Sequence, residues 1–394
     1  MKILHAIANL DYSTGGLPRS CLGMARAVAR RGHEVTIITT DRNIADTLRE
    51  DGNGHRTGCG VVIEAYPGSF PRRWETSWAL RRRAQELVPQ TDVVHIHSLY
   101  FFHAMVIGGL CQRFGVPYLV RPHGTLVSHV YRHHRPRKLL MELIFQNRGL
   151  RKAAGLHFAT EEEWRLAQPY ALNARGCIIP NGIDIDSFND LPPRALLQQH
   201  YPAIGERKVL LFLGRLHVNK GLNIAIDAFA QLASERDDVH LVLAGPDGGM
   251  RAAAEAWARK AGIDDRVTFT GLVTGEDRAM VLAGSDVFVL PSLGESFGMS
   301  VIEAAACGLP LVISDRVNLC TEFVTANACL VAPLSAKAFA AQLSAVLQDP
   351  GAARMMADRA LNLVRCNFTW DGVGRRLEEA YQQVIRDRKL PLLA

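Results

Sequence analysis

Short β-branched and aliphatic runs alternate with longer amphipathic stretches along almost the whole chain, and this alternation limits the possible folds more than any other feature. Lys2–Ile7, Glu34–Thr39, Val61–Ala65, Val93–His97, Tyr118–Val120, Gly155–Phe158 and Cys177–Ile179 read as strands. Leu17–Arg31, Glu75–Val88, Phe101–Phe114, Lys138–Leu150 and Glu161–Leu172 carry apolar residues at helical spacing between them. Strands apolar on both faces need cover on both, which a parallel sheet between helical layers provides. The pattern lapses over residues 184–207, where Asp184, Asp186, Asn189, Asp190, Pro192, Pro193, Pro202 and Gly205 suggest a linker. It resumes with strands at Val209–Leu213, Val239–Ala244, Val267–Thr270, Val287–Leu290 and Leu311–Ser314, and helices at Asn219–Ala233, Gly249–Ala261, Glu276–Ala283, Met299–Cys307 and Ala336–Leu347. The expectation is an α/β chain of two Rossmann-like, doubly wound domains facing a central crevice, with ligands beyond the carboxyl ends of the strands. A length of 394 residues suits two cores of about 100–200 residues each.

The positive charge is uneven. Residues 1–190 carry 24 Lys and Arg against 17 Asp and Glu, the remainder 21 against 22. A basic first half fits an anionic membrane, a phosphate-bearing acceptor or a solvated helical surface equally well. The eight cysteines are scattered and form no CxxC pair, so neither a zinc site nor a disulfide framework is indicated, and a reducing cytosol is expected. The start of the chain lacks a signal-peptide pattern, and the Leu99–Cys111 stretch is too short to cross a bilayer. A cytoplasmic protein, at most peripheral at the inner membrane face, is the expectation. Nucleic-acid binding has only charge in its favour.

Two motifs carry chemistry. Gly214-Arg215-Leu216-His217-Val218-Asn219-Lys220-Gly221 follows a strand and opens a helix. Its Arg fork and Lys point charge can converge on one anion, and a diphosphate suits both. The second, Pro291-Ser292-Leu293-Gly294-Glu295-Ser296-Phe297-Gly298-Met299-Ser300-Val301-Ile302-Glu303-Ala304, follows a strand and enters an Ala-rich helix. Ser296 or a neighbour is placed to cap that helix, whose N-terminus favours phosphate. Glu295 precedes the helix, and Glu303 lies about two turns along it. Glu303 reads either as a solvated helix residue or as a partner for a ligand hydroxyl, and the cost of an unpartnered carboxylate in its apolar setting favours the second.

These two motifs, in this order and at this distance, resemble the retaining GT-B glycosyltransferases of family 4, the group 1 glycosyltransferases. The resemblance spans the chain and includes Gly15-Gly16, Arg121-Pro122-His123-Gly124-Thr125, Ile179-Pro180-Asn181-Gly182-Ile183-Asp184 and the closing Phe368-Thr369-Trp370 segment. It implies an acceptor-binding domain over residues 1–190, a nucleotide-sugar domain over 191–368, and a helix over 369–394 that returns to the first domain. It also implies roles for single residues: Arg215 and Lys220 neutralise the diphosphate, Glu295 bonds the donor sugar, and Glu303 holds the ribose. Backbone N–H groups around Phe297, Gly298 and Met299 support the phosphates, Gly15 and Gly16 allow close approach, and His123 sits beside the transferred sugar. The chemistry implied is retaining hexose transfer from a UDP- or GDP-sugar to a saccharide acceptor. The resemblance leaves the acceptor open, and the basic first half favours a lipid-linked one at the inner membrane face, as in bacterial surface polysaccharide synthesis. No cofactor and no metal are expected, the nucleotide sugar being a substrate. A non-catalytic nucleotide-sugar binder and a GT-B sugar-nucleotide epimerase remain alternatives. A dehydrogenase does not fit, because the loop Asp11–Leu17 fails the G-x-G-x-x-G spacing.

Other candidates read both ways. Arg132, His133 and His134, in the basic tract 129–138, could grip an acceptor phosphate or lie on a solvated loop. His95 and His97 share one strand face, and His97 could line the acceptor pocket or be a hydrogen-bonded core residue. Thr160-Glu161-Glu162-Glu163 reads as a capping box, with Thr160 as cap and Glu163 reaching back.

Overall fold

The computed structural model describes residues 1–11, 16–44, 60–127, 139 and 141–393. The chain divides into two units, Met1–Gly182 with Trp370–Ala394, and Ile183–Thr369. The divisions fall after Gly182 and Thr369, where the family resemblance implied boundaries after residues 190 and 368.

The first unit is built on a seven-stranded sheet in the order β3-β2-β1-β4-β5-β6-β7. Its strands are β1 Lys2–Ala6, β2 Glu34–Thr40, β3 Val61–Tyr66, β4 Val93–His97, β5 Tyr118–Arg121, β6 Gly155–Phe158 and β7 Gly176–Ile178. All neighbours pair in parallel, as strands apolar on both faces require. Ile3, Ile7, Val35, Ile37, Val93 and Leu119 face the helices Gly16–Ala29 and Trp370–Asp387. Leu4, Ala6, Ile38, Val94, Ile96 and Val120 face the opposite layer, which includes Trp78–Leu87 and Phe102–Phe114. The C-terminal helix seats closely on Gly16–Ala29 because Gly23 leaves room for the Trp370 indole and Gly374 for the Ala27 carbonyl.

The second unit has a six-stranded parallel sheet in the order β10-β9-β8-β11-β12-β13. Its strands are β8 Lys208–Leu213, β9 Val239–Ala244, β10 Val267–Gly271, β11 Val287–Leu290, β12 Leu311–Ser314 and β13 Leu330–Ala332. This is the Rossmann order, with the direction of winding reversing between β8 and β11. In the first unit the reversal falls between β1 and β4.

The stretch 184–207 is more than a linker. It forms a helix over Arg194–His200 whose Leu197 is buried against Gly284. Arg194 donates to the Gly284 carbonyl at 3.1 Å, to Asp286 at 2.6 Å and to the Arg207 carbonyl at 2.6 Å. One buried leucine and one anchoring arginine suffice here, too sparse a pattern to register as periodicity. The helix Pro350–Asn367 also had no expectation attached to it. Pro350 occupies its first turn, and Asp349 accepts the Ala352 N–H at 2.9 Å. Among the described residues no helix is long and apolar enough to cross a membrane.

Candidate functional site

In the second unit, both motifs fall where the winding reverses. The Arg215–Lys220 loop follows β8 and the 291–298 loop follows β11. Glycines let the loops meet: Gly245 (φ +143°) lies against the Gly214 carbonyl and Gly221 (φ +66°) against the Pro291 carbonyl. A Cβ at either position would collide with that carbonyl, and both φ values favour glycine. Ser292 Oγ and the Leu293 N–H both donate to the Asn219 carbonyl, at 3.0 and 2.8 Å. The Glu295 N–H donates to the Arg316 carbonyl at 3.1 Å, and its carbonyl accepts from the Asn318 N–H at 3.0 Å. The backbone of Glu295 is therefore held on both sides. Its carboxylate is ion-paired to Lys220 Nζ, so the structure brings together two of the residues the sequence singled out. Arg215 is exposed, with its aliphatic stem beside Gly248.

The helix Met299–Ala306 begins at Gly298 (φ +95°), which offers no side-chain cap. Of Ser296 and its neighbours, the cap position falls to Gly298 rather than Ser296, and the Ser296 carbonyl accepts from Asn318 Nδ2 at 3.2 Å. The uncapped N-terminus keeps its free N–H groups and the positive end of the helix dipole for another partner. Phe297 is buried, edge-on to Phe368 with ring centroids 6.0 Å apart. Glu303 has a protein partner the sequence did not reveal, an ion pair with Arg278 on the helix Gly275–Ala283. No local spacing links residues 25 positions apart, so only tertiary packing exposes the pair.

In the first unit, Ser98 (φ +73°), Tyr100 (φ +65°) and His123 (φ +51°) adopt left-handed backbone just beyond the ends of β4 and β5. Non-glycine residues hold that conformation at a cost, and such positions concentrate at functional sites. Gly16 begins its helix with open space where a side chain would stand. Thr160 accepts the Glu163 N–H at 3.0 Å as a cap should. The Glu163 carboxylate reaches beyond the expected box, accepting from Ala159 N–H and from Gly124 N–H, each at 2.7 Å. Burial pushes the Glu163 carboxyl up, opposed by those two N–H groups and the Arg121 charge. Gly15, Arg132, His133 and His134 lie outside the described residues.

His97 does not line a pocket. Its side chain is fully buried and both ring nitrogens are engaged, Nδ1 with His123 Nε2 at 3.1 Å and Nε2 with His5 Nδ1 at 2.9 Å. No ring atom is left for an acceptor, and the core reading of this residue holds. Burial, reinforced by the nearby Arg121 charge, holds His97 and His123 well below the ordinary histidine range, and burial alone takes His5 to about 3. Arg121, fully buried, donates to Asn181 Oδ1 at 2.8 Å, and desolvation lowers it to about 10. His5, Cys21 and His97 present atoms within 4.8 Å of one another. The two histidines are already hydrogen-bonded to each other, and burial pushes the Cys21 thiol up, away from the thiolate a metal needs.

Comparison with known proteins agrees with this geometry. A family profile described as Glycosyltransferase Family 4 matches residues 14–187, and one described as Glycosyl transferases group 1 matches residues 194–362. The chain is 28% identical to a D-inositol 3-phosphate glycosyltransferase of Xylanimonas cellulosilytica, covering 95% of this chain and 93% of the relative. It is 30% identical to a 2-deoxystreptamine glucosyltransferase of Streptomyces kanamyceticus, covering 66% and 69%. The solved structure of Anabaena Alr3699/HepE in complex with UDP-glucose superposes with a TM-score of 0.77 at 18% identity, covering 97% of this chain and all of that one. With the Rossmann order in its second sheet, both motifs at the winding reversal and both halves matched in sequence, the chain belongs to the group 1 glycosyltransferases of family 4 and has the GT-B fold.

Proposed function

We propose that this glycosyltransferase moves a hexose from a UDP- or GDP-sugar to a saccharide acceptor with retention of configuration and without a metal ion. The observation that carries the reading is the convergence of the Arg215–Lys220 loop, the Glu295 backbone clamp and the uncapped helix end at Gly298 beyond the carboxyl ends of the central strands β8 and β11. As the glycosidic bond to the diphosphate breaks, negative charge grows on the departing oxygen. Fixed positive charge there is the largest help a site can offer. Arg215, Lys220 and the helix N-terminus supply it in this reading. The Lys220–Glu295 pair prepares both partners: Lys220 keeps two ammonium protons for phosphate oxygens, and the second oxygen of Glu295 can accept from a sugar hydroxyl. Arg278 in turn fixes the Glu303 carboxylate, which in this reading holds the ribose hydroxyls. The UDP-glucose complex of the Anabaena structural relative supports a UDP-sugar donor.

The acceptor in this proposal is a lipid-linked saccharide used in surface polysaccharide synthesis, met at an anionic inner membrane face. The basic first half of the chain supports that choice. Thermal shifts with UDP, GDP, ADP and their common sugar conjugates, in the presence of EDTA, test the donor. A rise with one nucleoside diphosphate and with its sugar conjugates is expected, since a ligand of the folded state stabilises by mass action. No shift until a divalent ion is added would overturn the metal-independent reading. Flotation with anionic liposomes at low salt tests the membrane arm, and failure to float would remove it.

A further inference from the structure

Five histidines and one tyrosine join in a single hydrogen-bonded file beneath the C-terminal helix of the first unit. His123 Nε2 meets His97 Nδ1 at 3.1 Å, and His97 Nε2 meets His5 Nδ1 at 2.9 Å. His5 Nε2 meets the Tyr381 hydroxyl at 3.5 Å, which in turn meets His95 Nδ1 at 2.8 Å. His95 Nε2 meets His157 Nδ1 at 3.2 Å, and His157 Nε2 ends the file on the Ile179 carbonyl at 2.7 Å. His5, His95, His97, His157 and Tyr381 are fully buried, and His123 alone reaches partial exposure. Strands β1, β4 and β6 supply the four inner rings, and helix Trp370–Asp387 supplies the hydroxyl.

We infer that this file fixes His123 as the Nε2–H tautomer, leaving its Nδ1 lone pair free, and that Tyr381 and the inner histidines are positioning residues for sugar transfer. The inference rests on the transferase reading only for its catalytic half. The tautomer follows from the anchor. A carbonyl only accepts, so His157 is protonated on Nε2 and, being neutral, accepts on Nδ1. His95 must then donate from Nε2 and accept on Nδ1, which takes the one Tyr381 hydroxyl proton. The tyrosine oxygen is left to accept from His5 Nε2–H, His5 Nδ1 accepts from His97 Nε2–H, and His97 Nδ1 accepts from His123 Nε2–H. Each ring has one proton and one lone pair, so a single choice at Ile179 sets all five. Neutrality is secured by burial throughout, with the Arg121 charge adding to the cost of an imidazolium at His95, His97, His123 and His157. Among the described residues nothing else bonds Nδ1 of His123, so the file presents one fixed acceptor for a substrate hydroxyl just beyond the end of β5. The file carries no net proton, because the Ile179 carbonyl cannot take one. Its longest link, Tyr381 to His5, is where direction is most easily lost.

The test begins with the free wild-type protein, in which long-range proton–nitrogen correlation of ¹⁵N-histidine reports the tautomer of each ring. His123, assigned by its absence in His123→Gln, is expected to be protonated on Nε2 and bare on Nδ1 at pH 7.5. Protonation on Nδ1, a mixture of tautomers, or a zinc ion retained stoichiometrically on His5 and His97 through EDTA dialysis would overturn the file. Tyr381→Phe removes only the hydroxyl. It frees His5 to take the other tautomer, so the His123 signals should shift toward a mixture while kcat falls at least tenfold and nucleoside diphosphate binding is kept. A shifted tautomer with unchanged kcat would overturn the positioning role. The wild-type spectrum needs neither a folded variant nor a substrate, so failure of the file and failure of the transferase reading are separable.

Discussion

The Glu163 carboxylate accepts the backbone N–H of Gly124 at 2.7 Å, tying the residue after His123 to the start of the helix Glu161–Ala171. The same carboxylate holds Ala159 N–H, so one side chain joins the end of β6 to the left-handed turn at His123 and Gly124. A charged acceptor buried on two N–H groups contributes about 1.5–3 kcal/mol per bond. Glu163→Gln keeps one acceptor oxygen and leaves an N–H without a partner. Urea denaturation should show a loss of about 1–3 kcal/mol. kcat should fall with it at temperatures where the variant is fully folded, because His123 loses its seat.

Gly221→Ala tests the meeting of the loops after β8 and β11. The new methyl would collide with the Pro291 carbonyl in a backbone conformation that disfavours side chains. Stability should drop by more than about 1 kcal/mol. Isothermal titration should show weaker nucleoside diphosphate binding, whereas Gly262→Ala, also left-handed but with open space around it, should keep full affinity.

Lys220→Ala and Glu295→Gln should separate two roles within one ion pair. The first is expected to weaken nucleoside diphosphate binding and slow transfer together. The second should leave nucleoside diphosphate affinity within a few-fold and lower kcat/KM for the sugar nucleotide at least tenfold. Loss of diphosphate binding in Glu295→Gln with turnover intact would refute the assignment.

Arg278→Gln should act through Glu303. Without its partner the carboxylate of Glu303 loses a charge-assisted bond worth about 1.5–3 kcal/mol and its fixed direction. Affinity for a ribonucleoside diphosphate should fall more than affinity for its 2′-deoxy analogue. Equal losses for both would place Glu303 elsewhere than at the ribose.

The buried histidines make acid stability a direct readout. Their folded pKa values lie below the unfolded value of about 6.5, so between the two the unfolded chain binds protons the folded chain refuses. Stability is therefore complete above about pH 6.5 and declines as pH falls toward the folded values, about 3 for His5. Each excluded proton is worth about 1.4 kcal/mol per pH unit. Glu163, shifted upward, works in the opposite direction but is a single group. Denaturant midpoints from pH 7.5 to 4.5 should fall steeply in the wild type and less steeply in His157→Gln.

The alternating runs made the sheets legible before any coordinates. Strands covered on both faces are built mainly from aliphatic residues, so β1 to β12 stand out by composition even where single buried polar side chains such as His5 or His157 interrupt them. The two motifs were legible for a related reason, since a strand, a glycine turn and a basic pair are contiguous in Gly214–Gly221. Elements held by one or two anchors, such as Arg194–His200, left no such trace.

What the sequence by itself determined is the order of the elements, the class of sheet and the short segments where charge is gathered, because each depends on residues close in the chain. Only the tertiary structure decided who partners whom. Arg278 finds Glu303, Glu163 finds Gly124, and Tyr381 finds His95 from 286 residues away. His97 moved from a candidate ligand contact to a link in the core for the same reason. A ring nitrogen's task is set by the atom opposite it, and in a parallel sheet that atom comes from another strand or a returning helix.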